Sequence, residues 1–284
     1  MYKIVEKRFL ATDIFLMDVV APRIAKSALP GQFVMVRANE TGERIPLTIC
    51  DYNASQGTIT LVTQIVGASS RLICQKEKGD SLLDVVGPLG RPSELVYKTD
   101  EELKQLRLLF VAGGLGTAPV YPQVKWLHER GATVDVIIGA KTASLLIFQE
   151  DMQTVCTNLY ITTDDGSAGQ KGLVTDVIKQ LVEAEKKSYD TIIAIGPMIM
   201  MKFVALQAKS YHIPVVVSLN TLMVDGTGMC GACRVNIGGQ TKFTCVDGPE
   251  FDGALVDFDE ALRRQGMYKQ MEVAANEKCE QKRI

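Results

Sequence analysis

The chain has 284 residues, of which 46% are hydrophobic and 23% are charged, as in a soluble globular protein long enough for two ordinary domains. Its 31 basic and 33 acidic residues nearly balance, which gives no electrostatic reason to expect nucleic acid or an anionic membrane as a partner. Lys7, Arg8, Asp13 and Asp18 interrupt the apolar N-terminal residues, a pattern unlike a secretion signal or a membrane span. We therefore expect a cytoplasmic protein.

Up to about residue 86, short segments with alternating apolar and polar residues are separated by turn signals such as Pro30-Gly31 and Gly79-Asp80. Six strands at this spacing, with one helix at residues 69–78, predict a small antiparallel β-barrel. We assign residues 1–97 to this first domain.

Residues 87–105 are rich in Gly, Pro and charged side chains, which predicts a connection between domains. Five nearly continuous apolar runs then alternate with helical segments, the pattern of a parallel sheet that is covered on both faces. This alternation predicts a doubly wound α/β domain over residues 98–220. Residues 221–284 are a third part, a cysteine-rich segment followed by a charged tail that we expect to be helical.

Two segments of the predicted barrel could bind an anion. Arg44 can pair with a phosphate in a forked geometry that lysine cannot copy. Gly67, Ser69 and Ser70 open the predicted helix, whose N-terminus offers unpaired N–H groups. Each signal has an alternative interpretation, since an arginine on a strand is usually solvated and Gly-x-Ser-Ser is often only a helix cap.

Glycine-rich turns follow two of the predicted parallel strands. The glycines of residues 113–116 (GGLG) would let the backbone approach a pyrophosphate, and Gly196-Pro197 lies after another strand at the same sheet edge. The alternative is a tight turn without a ligand. Asp164 and Asp165 end a third strand there, where carboxylates would repel a 2′-phosphate and accept hydrogen bonds from a ribose. We therefore predict NAD(H) in preference to NADP(H).

A carboxylate and three thiols lie close together after the α/β domain. Asp225, Cys230, Cys233 and Cys245 follow the spacing D-x4-C-x2-C-x11-C. This is the plant-type [2Fe–2S] spacing, with aspartate in place of the first cysteine. Structural zinc is the alternative, although zinc sites usually combine two short-spaced pairs.

The other cysteines are scattered, and without an export signal a disulfide framework is not expected. Cys50, Cys74 and Cys156 lie beside apolar residues and are interpreted as core side chains or inert thiols. Cys279, in the polar tail, is kept as a reserve ligand.

Taken together, these motifs resemble the ferredoxin–NADP reductase superfamily over essentially the whole chain. The segments that carry the resemblance are RIPLT (44–48), GASS (67–70), GPLG (87–90), GGLGTAP (113–119) and GP (196–197). The attached cysteine segment is similar to that of the electron-transfer subunits of class 1B dihydroorotate dehydrogenase. The chain is more similar still to the small subunit of NADH-dependent reduced ferredoxin:NADP oxidoreductase, an electron-bifurcating transhydrogenase. That group has one aspartate and three cysteines, whereas the dihydroorotate-linked subunits have four cysteines.

The resemblance implies a role for each matching residue, with FAD in the barrel and the nicotinamide nucleotide in the α/β domain. The residues for the FAD phosphates are Arg44, Gly67, Ser69 and Ser70. Those along the flavin ring and ribityl chain are Pro46, Leu47 and Thr48. Those near NAD(H) are Gly113, Gly114, Gly116, Thr117 and Gly196, with Asp165 at the adenosine ribose. The cluster ligands are Asp225, Cys230, Cys233 and Cys245.

The resemblance also implies the chemistry and the partner. A hydride passes directly between the nicotinamide and the flavin, so no catalytic side chain is expected, and the flavin joins this two-electron step to a one-electron cluster. The expected partner is a larger subunit with flavin and [4Fe–4S] clusters, linked indirectly to ferredoxin and NADP(H). Two alternatives are an electron-transfer subunit of an NAD-dependent dihydroorotate dehydrogenase and a nucleotide sensor without turnover.

Overall fold

The structure, a computed structural model, describes residues 1–281 and their side chains as far as residue 277. The first part of the chain is an antiparallel sheet. Its strands are β1 (Tyr2–Ala11), β2 (Ile14–Val20), β3 (Phe33–Arg37), β4 (Arg44–Asn53), β5 (Thr58–Gln64), β6 (Ser81–Leu82) and β7 (Asp84–Leu89). They lie in the order β6–β1–β2–β5–β4–β3–β7.

This sheet nearly closes into a barrel, as the sequence predicts. The edge strands β6 and β7 follow one another in the chain, and between them the Leu83 N–H donates a hydrogen bond to the Arg37 carbonyl at 3.0 Å. Side chains such as Ile4, Phe15 and Val34 point inward and are fully buried. The predicted last strand is thus two short strands, and helix α2 (Ala68–Cys74) occupies the predicted helical segment.

Two helices outside the prediction complete this half of the molecule. Helix α1 (Pro22–Ser27) begins at a proline, which is well tolerated in the first turn. Helix α3 (Asp100–Gln105) lies in the expected connection and is capped at Thr99. The Glu102 N–H donates to the Thr99 hydroxyl at 3.3 Å, and the Thr99 N–H donates to the Glu102 carboxylate at 2.7 Å.

The second part is a parallel sheet with helices on both faces, which confirms the predicted doubly wound domain. The strands are β8 (Arg107–Gly113), β9 (Thr133–Ala140), β10 (Asn158–Thr163), β11 (Gln170–Lys171), β12 (Thr191–Ile195) and β13 (Val215–Ser218), in the order β11–β10–β9–β8–β12–β13. The helices are α4 (Thr117–His128), α5 (Gln149–Val155), α6 (Val174–Lys179) and α7 (Met198–Ser210).

Each face of this sheet has its own core. Helices α6 and α7 pack on one face around Leu109 and Ile192, whereas α4 and α5 pack on the other around Phe110 and Ile138. The strand order reverses between β8 and β12, so their carboxyl ends leave a crevice at the edge of the sheet.

The cysteine segment is joined to both larger parts. After a loop it forms a hairpin of β14 (Arg234–Ile237) and β15 (Gln240–Phe243) and a short helix α8 (Thr244–Asp247). Strand β16 (Glu250–Asp252) then pairs antiparallel with β13 and extends the parallel sheet.

The expected helical tail is also present. It consists of α9 (Phe258–Gln265) and α10 (Lys269–Gln281). Over residues 1–281, no helix is both long and apolar enough to cross a membrane. The last three residues of the predicted tail, 282–284, lie outside the described part, as does the side chain of Cys279.

Candidate functional site

A cavity of about 2370 Å³ opens where the barrel, the parallel sheet and the cysteine segment meet. This is larger than the roughly 300–1,000 Å³ of an ordinary small-molecule pocket. Its walls combine strand β4, the start of α2, the carboxyl edge of the parallel sheet and residues 218–225. The volume is sufficient for more than one large ligand.

The barrel wall is the first half of β4. All four residues of β4 that were expected to contact FAD line the cavity: Arg44, Pro46, Leu47 and Thr48. Residues 44–48 pair with Phe33–Arg37 of β3, and the ladder to β5 begins at Ile49. The other edge of this half-strand is therefore turned toward the cavity, where a proline is compatible with the strand. Arg44 makes a long, exposed ion pair with Asp84 (3.4 Å), which a bound phosphate can readily replace.

The start of helix α2 also lines the cavity, and its two serines differ. The Ser70 hydroxyl is buried and accepts hydrogen bonds from the N–H groups of Val66 (2.9 Å) and Gly67 (3.1 Å). Ser70 thus caps the helix, as the alternative interpretation of this motif proposed. The Ser69 hydroxyl instead donates to the Glu43 carboxylate at 2.6 Å. Of the two serines, Ser69 has the hydroxyl that a ligand can reach.

The two glycine turns meet at the edge of the parallel sheet. A Cβ added to Gly116 would lie 2.2 Å from the Ile195 carbonyl oxygen, and one added to Gly196 would lie 3.0 Å from the Gly113 Cα. These glycines are required because the turns after β8 and β12 touch. An added Cβ at Gly114 would meet nothing within 4 Å, so its backbone borders open space in the cavity.

Thr117, which follows this turn, is fully buried. Its hydroxyl donates to the Gly114 carbonyl at 2.9 Å and so stabilises the turn from inside. The family resemblance places Thr117 among the nucleotide contacts, whereas in the structure its hydroxyl bonds to the protein backbone.

The two acidic residues after β10 have different surroundings. Asp164 lines the cavity with Lys141 and Thr175. Asp165 is exposed, and its carboxylate accepts hydrogen bonds from the Ser167 hydroxyl (2.6 Å) and N–H (2.9 Å), which lower the pKa of Asp165. The structure thus brings to the cavity Asp164, which the sequence analysis grouped with Asp165, and Lys141, which it did not assign. Both directly follow strand ends at this sheet edge, which was the available signal.

The cysteine segment folds around the side chain of Asp225. One carboxylate oxygen accepts a hydrogen bond from the Thr227 N–H at 2.6 Å, and the other accepts one from the Cys230 N–H at 2.8 Å. These bonds, the Thr227 bond foremost, lower the pKa of Asp225, so the carboxyl is ionised at neutral pH. They also hold Cys230 beside the carboxylate.

Cys233 and Cys245 form a second, buried pair. Their Sγ atoms are 3.3 Å apart, and they pack against Phe33 and Met35 of the barrel and against Met223. Burial, followed by the contact with Cys233, raises the pKa of Cys245 to about 12. Because thiols bind metals as thiolates, a metal has to displace the proton here.

The four candidate ligands therefore stand as two pairs, Asp225 with Cys230 and Cys233 with Cys245. In the part of the chain that the structure describes, no three His, Cys, Asp or Glu side chains converge closely enough to hold one metal ion. Each iron of a [2Fe–2S] cluster takes two protein ligands, so two pairs of donors fit such a cluster.

The cysteine pairs and the cavity share residues. Phe33 and Met223 line the cavity and also contact the buried pair of cysteines. Asp225 lines the cavity itself, whereas Cys230 lies exposed at the outer surface. The segment thus reaches from the cavity to the surface of the molecule.

Cys50 and Cys156 agree with their interpretation as core side chains or inert thiols. Cys50 is buried between the barrel and α4, and burial raises its pKa. Burial also raises the pKa of Cys156 to about 11. A raised pKa keeps a thiol protonated, and the protonated form is a poor nucleophile.

Two family models match the chain. The iron–sulfur cluster binding domain of dihydroorotate dehydrogenase B matches residues 220–257, and the oxidoreductase NAD-binding domain matches residues 110–206. With the barrel and the shared cavity, they define a ferredoxin-reductase-like electron-transfer oxidoreductase subunit. A relative from Thermotoga maritima, named as a homolog of the dihydroorotate dehydrogenase B (NAD(+)) electron transfer subunit, is 45% identical over 97% of this chain and 94% of its own length. The chain belongs to this family of electron transfer subunits and their homologues.

Two further proteins are similar to the chain over most of its length. The dihydroorotate dehydrogenase B electron transfer subunit of Geobacillus thermodenitrificans is 34% identical over 87% of this chain and 94% of its own length. A chain in the solved structure of an NADH-dependent reduced ferredoxin–NADP oxidoreductase, described for flavin-based electron bifurcation, is 44% identical. It superimposes with a TM-score of 0.90 and covers 98% of this chain and 97% of its own.

Proposed function

We propose that the chain is the NAD(H)-side electron-transfer subunit of a ferredoxin-dependent NAD(P) transhydrogenase. It moves electrons between NAD(H), FAD and a [2Fe–2S] cluster. The observation that carries this proposal is the shared cavity, in which β4, the glycine turns and Asp225 line one space. Reduction of bound flavin by NADH, followed by reduction of the cluster, tests it.

The protein's own contribution is position. FAD, when bound, connects a two-electron hydride transfer with one-electron steps. The first half of β4 and Ser69 would hold it against the barrel, and the turn at Gly114 would bring the nicotinamide nucleotide to the opposite wall. Phe33 and Met223, both buried, contact the buried cysteines on one side and line the cavity on the other.

We propose NAD(H) as the nucleotide because acidic residues follow β10. Asp164 would face the adenosine ribose, and its carboxylate, with Asp165 beside it, would repel a 2′-phosphate. Lys141, across from Asp164, offers one opposing charge. The kcat/KM values for NADH and NADPH measure the balance, and a clear preference for NADPH would contradict the proposal.

We propose Asp225, Cys230, Cys233 and Cys245 as the cluster ligands. The donor set and its division into two pairs support this assignment. Iron and acid-labile sulfide in equal amounts, with an EPR signal in the reduced protein, are the expected results. Bound zinc in a colourless protein without flavin would reject both the cluster and the flavin.

The proposed partner is a larger subunit that carries flavin and [4Fe–4S] clusters. Two apolar side chains next to cluster-ligand cysteines in the chain are exposed, Met229 (89%) beside Cys230 and Val246 (38%) beside Cys245. An electron acceptor has to come close to the cluster, and an apolar rim favours a protein surface there. Ferredoxin and NADP(H) would act through that partner, and a cytoplasmic location remains a prediction.

The second candidate is an electron-transfer subunit of an NAD-dependent dihydroorotate dehydrogenase. The match to the iron–sulfur model of that enzyme favours it, whereas Asp225 in place of a cysteine favours the transhydrogenase. Purification of the native complex distinguishes the two. A flavin and [4Fe–4S] partner with NADPH- and ferredoxin-linked activity supports the first, and a dihydroorotate-oxidising partner supports the second. NADH-dependent bleaching of flavin absorbance excludes a sensor without turnover.

A further inference from the structure

The C-terminal helices cross the cavity from one wall to the other. Helix α9 is fixed to the α/β domain, where Phe258 and Ala261 are buried beside α7 and Lys202 pairs with Asp259. Helix α10 reaches the barrel domain, where the Arg71 guanidinium of α2 donates to the Asn276 side-chain oxygen at 3.3 Å. We call residues 258–281 the strap, because both of its ends contact the walls.

One face of α10 is turned toward the cavity. The residues of the strap that line it are Leu262 and Gln265 of α9, Tyr268 just before α10, and Met271, Glu272 and Ala275 of α10. From Tyr268 onward they follow the helical spacing i, i+3, i+4 and i+7. Tyr268 is 45% exposed and Met271 69% exposed. Large apolar side chains that stand open on a cavity face are typical of a ligand-binding wall.

Helix α7, another wall of the cavity, has the same character. Ile199, Phe203 and Leu206 of α7 line the cavity at positions i, i+4 and i+7 and are 48%, 54% and 54% exposed. Two apolar helix faces thus border the same space. A flat, weakly polar ligand group placed between them would remove both faces from water.

We propose that the strap retains FAD by packing Tyr268, Met271 and Ala275 against its adenosine half. This inference rests on the proposed function. Tyrosine and methionine side chains suit the face of an adenine ring, and the Glu272 carboxylate can accept a hydrogen bond from a ribose hydroxyl.

Position selects FAD over the nicotinamide nucleotide as the ligand of the strap. Helix α10 packs on α2, which begins beside Ser69 in the proposed FAD pyrophosphate site. The nicotinamide nucleotide is proposed at the sheet edge, near Gly114 and Asp164. The strap also lies beyond the iron–sulfur family model, which ends at residue 257, one residue before α9 begins. It is therefore an addition to the cluster-binding unit.

Neighbouring alanines of α10 provide the sharpest test. Ala274 and Ala275 are both exposed, but Ala275 lines the cavity and Ala274 does not. In the full chain reconstituted with FAD, Ala275→Trp should occupy space of the adenosine and release flavin at least about tenfold faster, a change of 1.4 kcal/mol. Ala274→Trp should release FAD at the wild-type rate. Release is followed by the rise of flavin fluorescence after the holoprotein is diluted into FAD-free buffer.

A second pair of variants guards against a misfolded Ala275→Trp protein. Met271→Ala should also speed FAD release, whereas Val273→Ala, an exposed residue on another face of the same helix, should not. Equal release rates in all four variants and the wild type would overturn the inference. A raised KM for NADH with unchanged FAD release would also overturn it, because the strap would then serve the nicotinamide nucleotide. A wild-type protein that binds no FAD would instead reject the proposed function.

Discussion

Glycines are required at the sheet edge and in the cysteine segment for different physical reasons. At the sheet edge, Gly116 has no room for a Cβ, because an added Cβ would lie 2.2 Å from the Ile195 carbonyl oxygen. In the cysteine segment, Gly228 and Gly231 have φ angles of +87° and +66°, and a Cβ at Gly231 would lie at an ordinary 3.7 Å from Phe243. Gly116 is thus limited by space and Gly231 by backbone conformation. An alanine should therefore be tolerated less well at Gly116 than at Gly231.

Gly116→Ala should have the largest effect on the free energy of unfolding. The added methyl overlaps the backbone after β12, which cannot move without separating two central strands, so we expect a loss of about 3 kcal/mol. Urea unfolding measures it. Gly266→Ala, with its nearest atom at 3.7 Å, is the matched control and should change the stability little. Equal stability of the two variants would show that the turns after β8 and β12 do not touch.

Asp225→Ala should leave the fold intact and empty the cluster site. It removes a proposed ligand and the acceptor for two N–H groups, so metal binding should weaken by at least the roughly 10–100-fold that loss of a supporting residue costs. Iron and sulfide analysis with EPR measures the occupancy. Asp225→Cys, which restores the four-cysteine spacing, should recover the cluster. A wild-type signal at full occupancy in Asp225→Ala would show that Asp225 is not a ligand.

Gly231→Ala should cost less than Gly116→Ala, because only backbone conformation opposes it. A non-glycine residue in the left-handed region is less stable by about 1 kcal/mol, and the neighbouring Cys230 and Cys233 should bind the cluster less firmly. Thermal unfolding and the rate of iron loss to a chelator measure the two effects. A destabilisation as large as that of Gly116→Ala would remove the distinction between the two regions.

Glu250→Gln should have the smallest effect, and it should be stabilising. Burial raises the pKa of this carboxyl, which accepts a hydrogen bond from the Gln123 amide at 2.7 Å while the Gln123 carbonyl oxygen lacks a partner in the described structure. A raised folded-state pKa means that wild-type stability decreases as pH rises through it, so the variant should gain on the order of 1 kcal/mol near pH 8 and less at acidic pH. A gain that does not depend on pH would contradict the titration of Glu250.

Most of the fold could be predicted from the sequence, because the sequence patterns that specify its strands and helices are local. The parallel strands are nearly continuous apolar runs, and each expected run forms a strand. Helix α3 was also readable, since Thr99 and Glu102 form a capping box, but the charged segment around them favoured a connection. The division of the last barrel strand at Leu83 depends on closure of the sheet, which no local pattern reports.

The candidate site could be predicted where glycine turns and ligand spacing form it. Gly113 and Gly196 indicated the sheet edge, and the spacing from Asp225 to Cys245 indicated the cluster. The sequence could not predict which of two adjacent residues faces the cavity. Asp164 lines it and Asp165 does not, and Thr117 turns its hydroxyl into the protein. The strap was also beyond prediction, because a polar tail acquires its role only from the distant surfaces that it contacts.

Strand β16 has a consequence for how fast this protein can pass electrons. Because it anchors the cysteine segment in the parallel sheet through pairing with β13, that segment is not a tethered carrier that must swing between donor and acceptor. Transfer inside the chain therefore needs no diffusive search, and its rate should be insensitive to solvent viscosity. Only the encounter with the partner protein should slow as solvent viscosity rises.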